Sequence, residues 1–333
     1  MNILVVSGGS GGHIYPSLSL IKELNNYNVI YLGTNSKLEK KIIPSLNIKY
    51  YLLNNKGLKK GLINKFIFIY YLIINFFKII KIIKKEKINK IITFGGYSSS
   101  SVFLANLLFK KEIYIHEQNA IIGRNNKLML RFSNKIFTSF IDTIGIKDKY
   151  KHKVIYTGNP RFFINKKKKD KFKILIMTGS LGSKTVTNKL LPLLDIYNDI
   201  TLISGINNDF KHKKIVNYVD NMEEFLSEFS LIITRSGATS LNEISSLGIP
   251  SILIPSPYVI NNHQYLNALS YLKIKRGYLI KEENLNTDEI INIINELKVN
   301  KFLYEELKNN TLTFYNKNAI KLIKEEMKLW RNI

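Results

Sequence analysis

The sequence contains no cysteine. That excludes a disulfide framework, a thiolate metal site and thiol catalysis. It has one tryptophan, and arginine is scarce: only 6 of the 50 basic residues are Arg. No D-x-D pair, no H-E-x-x-H segment and no two histidines four apart occur. His13, His116, His152, His212 and His263 are scattered. The pattern therefore offers no metal site, and no cofactor is called for. No basic stretch followed by an apolar signal region precedes the first strand-like run, Ile3 to Val6, so secretion is not expected. Acidic residues are also few, 25 against 50 basic, which leaves a net charge of +25.

What is present is dominated by Lys, Ile, Asn, Tyr and Phe, a bias that an AT-rich genome alone would produce. Such a bias would treat both halves of the chain alike, and it does not. Residues 1–165 carry 26 Lys and Arg against 7 Asp and Glu, a net of +19, whereas residues 166–333 carry 24 against 18, a net of +6. An excess of this size on one half suggests that it faces something anionic, nucleic acid or a phospholipid surface. The length of 333 residues suffices for two domains with sizeable cores.

The two halves share a grammar. Residues 2–24, NILVVSGGSGGHIYPSLSLIKEL, read as a buried strand, a glycine-rich turn and a helix; residues 172–194, FKILIMTGSLGSKTVTNKLLPLL, repeat that order. Short apolar runs follow at Val29–Leu32, Lys90–Thr93 and Glu112–Ile115, then at Thr201–Ser204, Leu231–Thr234 and Ser251–Ile254. Many are separated by helix-length segments. Strands alternating with helices imply parallel sheets. The expected fold class is therefore α/β, with two Rossmann-like doubly wound domains facing a cleft and ligands at the carboxyl ends of the strands. The boundary is expected near residues 157–171, TGNPRFFINKKKKDK, where Gly158 and Pro160 mark a turn and a lysine run follows. That gives domains of 1–161 and 166–315.

Residues 61–87, GLINKFIFIYYLIINFFKIIKIIKKEK, stand apart. Their longest uncharged stretch, Phe66–Phe77, is too short to span a bilayer, which takes about 20 residues. The segment reads either as a buried domain helix or as an interfacial one. Lys65, Lys78, Lys81, Lys84, Lys85 and Lys87 flank its apolar and aromatic residues as in a membrane-surface segment.

The chemistry lies in three turns. GGSGGH at 8–13 fits neither G-x-G-x-x-G nor a P-loop, so neither a dinucleotide nor an ATP phosphate site is supported in its usual form. Its four glycines still let a ligand or another segment approach the backbone, and N–H groups at a helix start favour anions. TGSLGS at 178–183 offers the same chemistry from the second half. Two such loops suit a diphosphate. His13 ends the first loop; it is either a helix-start histidine bonded to backbone or a base. TRSGATSLNEISSLGIPSILIPSP at 234–257 reads as strand, turn, a helix over about 239–247, and strand. Glu243 in that helix either complements the dipole or accepts hydrogen bonds from ribose hydroxyls.

Taken together these motifs resemble the MurG family, the peptidoglycan N-acetylglucosaminyltransferases of bacteria. The matching pieces run in order: GGSGGHIYP at 8–16, FGGYSSSSVFLA at 94–105, HEQNAIIGRNNKL at 116–128, TGNPR at 157–161, TGSLGSK at 178–184, TRSGATSLNE at 234–243 and NNHQYLNA at 261–268. The resemblance implies the B-type glycosyltransferase fold. It implies transfer of N-acetylglucosamine from its UDP derivative to the muramic 4-hydroxyl of lipid I with inversion, giving lipid II for the cell wall. It also implies a peripheral protein on the cytoplasmic side of the cell membrane, with a C-terminal helix, residues 316–333, packed back on the first domain. Carried over residue by residue, Ser10, Gly11, Gly12 and Asn119 would surround the transferred sugar and its phosphates. Ser180 would meet the diphosphate, and Val219 would contact uracil through its backbone. Ala238, Thr239, Ser240, Leu241, Asn242 and Glu243 would hold phosphate and ribose, with Glu243 on the ribose hydroxyls, and Gln264 would touch the sugar hydroxyls. His13 is the candidate base and Glu117 its alternative.

The chain departs from the family at three places. Ser10 stands where Thr is common, the third loop reads T-G-S-L-G-S where G-G-S-Q-G-A is more usual, and Phe162 stands where some members have Arg. Rival readings are a lipid glycosyltransferase acting on diacylglycerol, an RNA-binding protein and a nicotinamide-dependent dehydrogenase. The HEQN and TRSGATSLNE segments oppose the first. The Lys-rich, Arg-poor charge without an RNA-binding signature opposes the second, and the broken G-x-G-x-x-G opposes the third.

Overall fold

The structure, a computed structural model, describes residues 1–55, 61–96, 98–161, 171–179, 182–205, 210–217, 219 and 221–329. The chain divides into two compact units, residues 1–161 with 317–333, and residues 162–316.

In the first unit the order is β1 (Asn2–Val6), α1 (Gly11–Lys22), β2 (Asn28–Thr34), α2 (Lys37–Ile42), β3 (Lys49–Leu53), α3 (Leu62–Lys85), β4 (Lys90–Thr93), α4 (Ser98–Phe109), β5 (Glu112–Glu117), α5 (Arg124–Met129), β6 (Lys135–Thr138) and β7 (Val154–Tyr156). The sheet is β3-β2-β1-β4-β5-β6-β7 and every pairing is parallel. β1 shows why. Ile3 and Val5 enter one core with Ile14, Leu18 and Ile21 of α1, while Leu4 and Val6 enter another with Ile79 and Ile83 of α3 and Val102 of α4. A strand apolar at consecutive positions must be covered on both faces, and right-handed helical crossovers between parallel strands do this. Truncating such a residue, Leu4→Ala for example, removes about 2–5 kcal/mol.

The second unit repeats the plan with β8 (Ile174–Met177), α6 (Lys184–Leu190), α7 (Pro192–Ile196), β9 (Ile200–Ile203), β10 (Ile215–Val216), α8 (Met222–Leu226), β11 (Leu231–Thr234), α9 (Ala238–Leu247), β12 (Ser251–Leu253), α10 (His263–Tyr271), β13 (Gly277–Leu279), α11 (Thr287–Val299) and α12 (Lys301–Leu312). Its sheet, β10-β9-β8-β11-β12-β13, is also all parallel. Ile174 and Ile176 pack with Val186, Leu193 and Ile294; Leu175 and Met177 pack with Leu226, Ile244 and Leu247. In both sheets the strand order reverses beside the first strand, between β1 and β4 and between β8 and β11. Ligands of open parallel sheets bind outside the carboxyl ends at such a point.

Two segments are finer-grained than the sequence alone suggests. The 61–87 segment is a single helix whose two ends differ. Ile79, Ile82 and Ile83 are core residues, whereas Ile63, Phe66, Tyr70, Ile73 and Phe77 are exposed, Ile63 by 77% and Phe66 by 71%. These recur at three- and four-residue spacing, so they form one face. A wholly buried helix is thus ruled out for the first half of α3. At the other end of the chain, α13 spans only Ala319–Glu326 of the 316–333 segment, and Lys328 adopts a left-handed φ of 52° just beyond it. Ile320, Ile323 and Met327 pack on the Ile3–Val5 face of the first sheet.

Candidate active site

Three turns leave the carboxyl ends of β1, β4 and β5, which are neighbours in the first sheet. The β1 turn holds Gly8 and Gly9, and α1 begins at Gly11, so His13 is the third residue of the helix rather than its first. Ser10 is the N-cap, is exposed, and makes no capping hydrogen bond with its side chain. No acidic residue occupies the first turn of α1. The positive end of its dipole is left for another anion.

The β4 turn packs directly on the β1 turn. A Cβ on Gly96 would stand 2.5 Å from the Gly8 carbonyl oxygen, and Gly96 has a φ of 91°. Only glycine meets both demands. At Gly95, φ 93°, a Cβ would lie 3.3 Å from His13 Cε1, so this glycine lets the imidazole sit against the backbone. The Asn125 side chain donates to the Gly96 carbonyl at 2.8 Å and ties the β5 turn to the same place.

The β5 turn carries H-E-Q-N. Glu117 is buried, and its carboxylate is fully engaged. Oε1 accepts from the Asn119 backbone N–H at 3.0 Å and its side chain at 3.3 Å; Oε2 accepts from the Gly123 N–H and the Asn126 side chain, both at 2.8 Å. Glu117, the alternative candidate for the base, holds Asn119 and the loop leading to α5 through these contacts. Asn119 itself is half-buried. His13 Nδ1 lies 2.9 Å from Gln118 Oε1. Gln118 Nε2 lies 3.0 Å from His116 Nδ1 and donates to the His116 carbonyl at 3.2 Å, and His116 Nε2 meets the Gly158 carbonyl at 3.1 Å. His116 is completely buried beside the Phe94 ring, and burial lowers its imidazole to about 4. No group among the described residues hydrogen-bonds His13 Nε2. Gln118 and His116 were not picked out as functional residues by sequence reasoning; the H-E-Q-N segment was their only signal.

In the second unit, Arg235 at the end of β11 is nearly buried and braces the turns. It donates to Glu282 at 2.6 Å, to the Ile254 carbonyl at 3.0 Å and to Ser183 Oγ at 3.1 Å; Ser183 caps α6. Ser236 Oγ donates to the Gln264 carbonyl at 2.7 Å, and the Asn267 side chain donates to the Ser236 carbonyl at 3.1 Å. The start of α9 is thereby fixed to α10. Of the six residues assigned there, Thr239 and Ser240 are half-buried, while the Ala238, Leu241 and Asn242 side chains are buried. The Leu241 N–H is already used, donating to the Gly237 carbonyl at 2.9 Å. A helix start of this kind, with no acid in its first turn, favours a phosphate. Glu243 is the sixth residue of α9 and nearly buried, and the first turn has no acid. It lies too far along to complement the dipole, which acts within the first turn. Gln264 Oε1 accepts from the Ser256 N–H at 2.8 Å. Val219 is half-buried against the Leu226–Ile232 core. Ser180 and Leu181 lie outside the described residues.

Two doubly wound parallel sheets, each with anion-favouring helix starts at its switch point, define the B-type glycosyltransferase fold. The glycosyltransferase family 28 N-terminal domain matches residues 3–138 and the family 28 C-terminal domain matches residues 163–327. A relative from Caldicellulosiruptor saccharolyticus is 33% identical over 344 residues, covering 93% of each chain. It is named UDP-N-acetylglucosamine–N-acetylmuramyl-(pentapeptide) pyrophosphoryl-undecaprenol N-acetylglucosamine transferase. The chain belongs to glycosyltransferase family 28, and its resemblance to MurG extends along nearly its whole length. Among solved structures, Acinetobacter baumannii MurG superposes with a TM-score of 0.77 at 22% identity, covering 99% of both chains. A UDP-GlcNAc 2-epimerase from Neisseria meningitidis reaches a TM-score of 0.67 at 17% identity over 98% of this chain and 100% of its own. A fold shared with an epimerase does not decide the reaction; the site must.

Proposed function

We propose that this protein transfers N-acetylglucosamine from UDP-N-acetylglucosamine to the muramic 4-hydroxyl of lipid I, with inversion, and so forms lipid II. One observation carries the proposal. In a chain 33% identical to a transferase of that name, His13, the paired glycine turns and the Glu117–Asn119 segment converge at the ends of β1, β4 and β5. In the transfer, the acceptor O4 forms a bond to the anomeric carbon as the bond from that carbon to the β-phosphate oxygen breaks. UDP leaves with the electron pair, and the hydroxyl proton passes to His13 Nε2. The first unit receives the acceptor, with Ser10, Gly11, Gly12 and Asn119 around the sugar and phosphates. The second binds the donor. The α9 start, Ser180 and Gln264 take diphosphate and sugar, Val219 takes uracil, and Glu243 takes the ribose hydroxyls. No D-x-D pair is present to hold a metal, so backbone N–H groups and helix starts stabilise the departing diphosphate.

The exposed apolar face of α3, flanked by Lys65, Lys78, Lys81 and Lys84, supports a phospholipid surface as partner. In this proposal the protein is peripheral to the cell membrane on its cytoplasmic side, and the basic excess of the first half serves anionic lipid and not nucleic acid. Incubation with UDP-N-acetylglucosamine and a lipid I analogue tests the function: lipid II and UDP are expected in equal amounts. Transfer to diacylglycerol with none to lipid I would overturn it.

A further inference from the structure

The hydrogen bonds around His13 form a chain in which each donor and acceptor is forced. The Gly158 carbonyl has no proton to give, so His116 Nε2 must carry one and donate it. His116 is fully buried, no acid among the described residues is bonded to it, and burial keeps it neutral, so its Nδ1 is an acceptor. Facing it, 3.0 Å away, is Gln118 Nε2, whose other hydrogen goes to the His116 carbonyl at 3.2 Å. Reversing the Gln118 amide would set its oxygen against two acceptors. The amide orientation is therefore fixed, and Gln118 Oε1 is what His13 Nδ1 meets at 2.9 Å. An amide oxygen only accepts, so the proton of neutral His13 is on Nδ1.

We propose that Gln118, itself oriented by His116, is a positioning residue that locks His13 in the Nδ1–H tautomer and so keeps its Nε2 lone pair open to take the acceptor proton. The inference builds on the assignment of His13 as the base. A neutral histidine in water favours the opposite tautomer, with the proton on Nε2, where it would block the transfer. Gln118 thus selects the minor form of His13. Gly95 contributes by leaving room for the imidazole at that angle, since any Cβ there would press on Cε1. The buried His116 takes no proton in the reaction; its part is to fix which end of Gln118 faces His13.

Nitrogen-15 NMR of the imidazole rings tests this in the full-length protein, with His13→Asn used to assign the His13 signals. In the parent, His13 should show a pyrrole-type Nδ1 and a pyridine-type Nε2. Gln118→Met should give mainly the Nε2–H form and reduce kcat at least about tenfold, with the donor KM within about twofold. An Nε2–H signal in the parent, or an unchanged Nδ1–H signal in a folded Gln118→Met variant, would overturn the proposal. Failure of the base assignment is read separately. His13→Ala with full turnover would remove the base and leave the tautomer result standing.

Discussion

The Glu117 carboxylate lies 2.8 Å from the Asn126 side chain and 2.8 Å from the Gly123 N–H, so the start of α5 is tied to a buried carboxylate at the end of β5. In the proposed mechanism Glu117 shapes the turn, and His13, half-buried, takes the proton on Nε2.

His13→Ala should lower turnover by at least about a hundredfold with little change in UDP affinity. Glu117→Ala should instead lower the melting temperature, because four donors lose their acceptor, and a buried donor left unsatisfied costs about 1–3 kcal/mol. Thermal unfolding and steady-state kinetics on both variants check the division. Near-normal turnover in His13→Ala would end the role of His13 as base.

Glu243→Ala should raise the donor KM and leave the fold intact. A charged hydrogen-bonding partner contributes about 1.5–3 kcal/mol, or roughly ten- to a hundredfold in apparent affinity. Since Glu243 sits beyond the first turn of α9, unchanged donor kinetics in the variant would make it a packing residue of that helix.

Vesicle co-sedimentation tests the α3 surface. Phe66→Ser with Tyr70→Ser, or Lys65, Lys78, Lys81 and Lys84 changed to Glu, should weaken binding to phosphatidylglycerol vesicles. Each Lys contributes about 1 kcal/mol near an anionic surface. Turnover of a soluble acceptor analogue should persist. Loss of both together would show that the helix is needed for folding.

Stability should fall with pH in a window set by His116. Its folded imidazole is lowered by burial to about 4, while the unfolded one titrates near 6.5. The unfolded chain therefore binds a proton that the folded one excludes. The stability is fully present above about pH 6.5, declines as pH falls, and is lost by about pH 4, a total of about 3 kcal/mol. Denaturant midpoints across this range should slope less in His116→Phe than in the parent, though that variant starts lower. Equal slopes would mean that the imidazole is accessible to protons in the folded state.

EDTA should leave the transfer rate unchanged. In the proposed mechanism backbone N–H groups at helix starts stabilise the leaving diphosphate, and the first turn of α9, in the donor-binding unit, carries no acid. Loss of turnover with chelator and recovery with magnesium would contradict this.

The sequence by itself determined the elements that rest on local pattern. Ile3–Val6, Leu231–Thr234 and the other apolar runs became parallel strands because a run with no polar alternation must be buried on both faces. The glycine turns were legible because few other residues accept their dihedral angles. β3, β6, β7, β10 and β13 were not singled out; β7, β10 and β13 are only two or three residues long, and the sheet rather than their own pattern makes them strands. Only the tertiary structure decided that α3 buries Ile79, Ile82 and Ile83 and exposes Ile63, Phe66, Tyr70, Ile73 and Phe77, since large apolar residues occur at both ends of the sequence segment. Only it decided what Glu117 and Gln118 do. Their partners come from Gly123 and Asn126 across a turn and from His13, 105 residues away, and a hydrogen bond between distant segments leaves no periodicity to read.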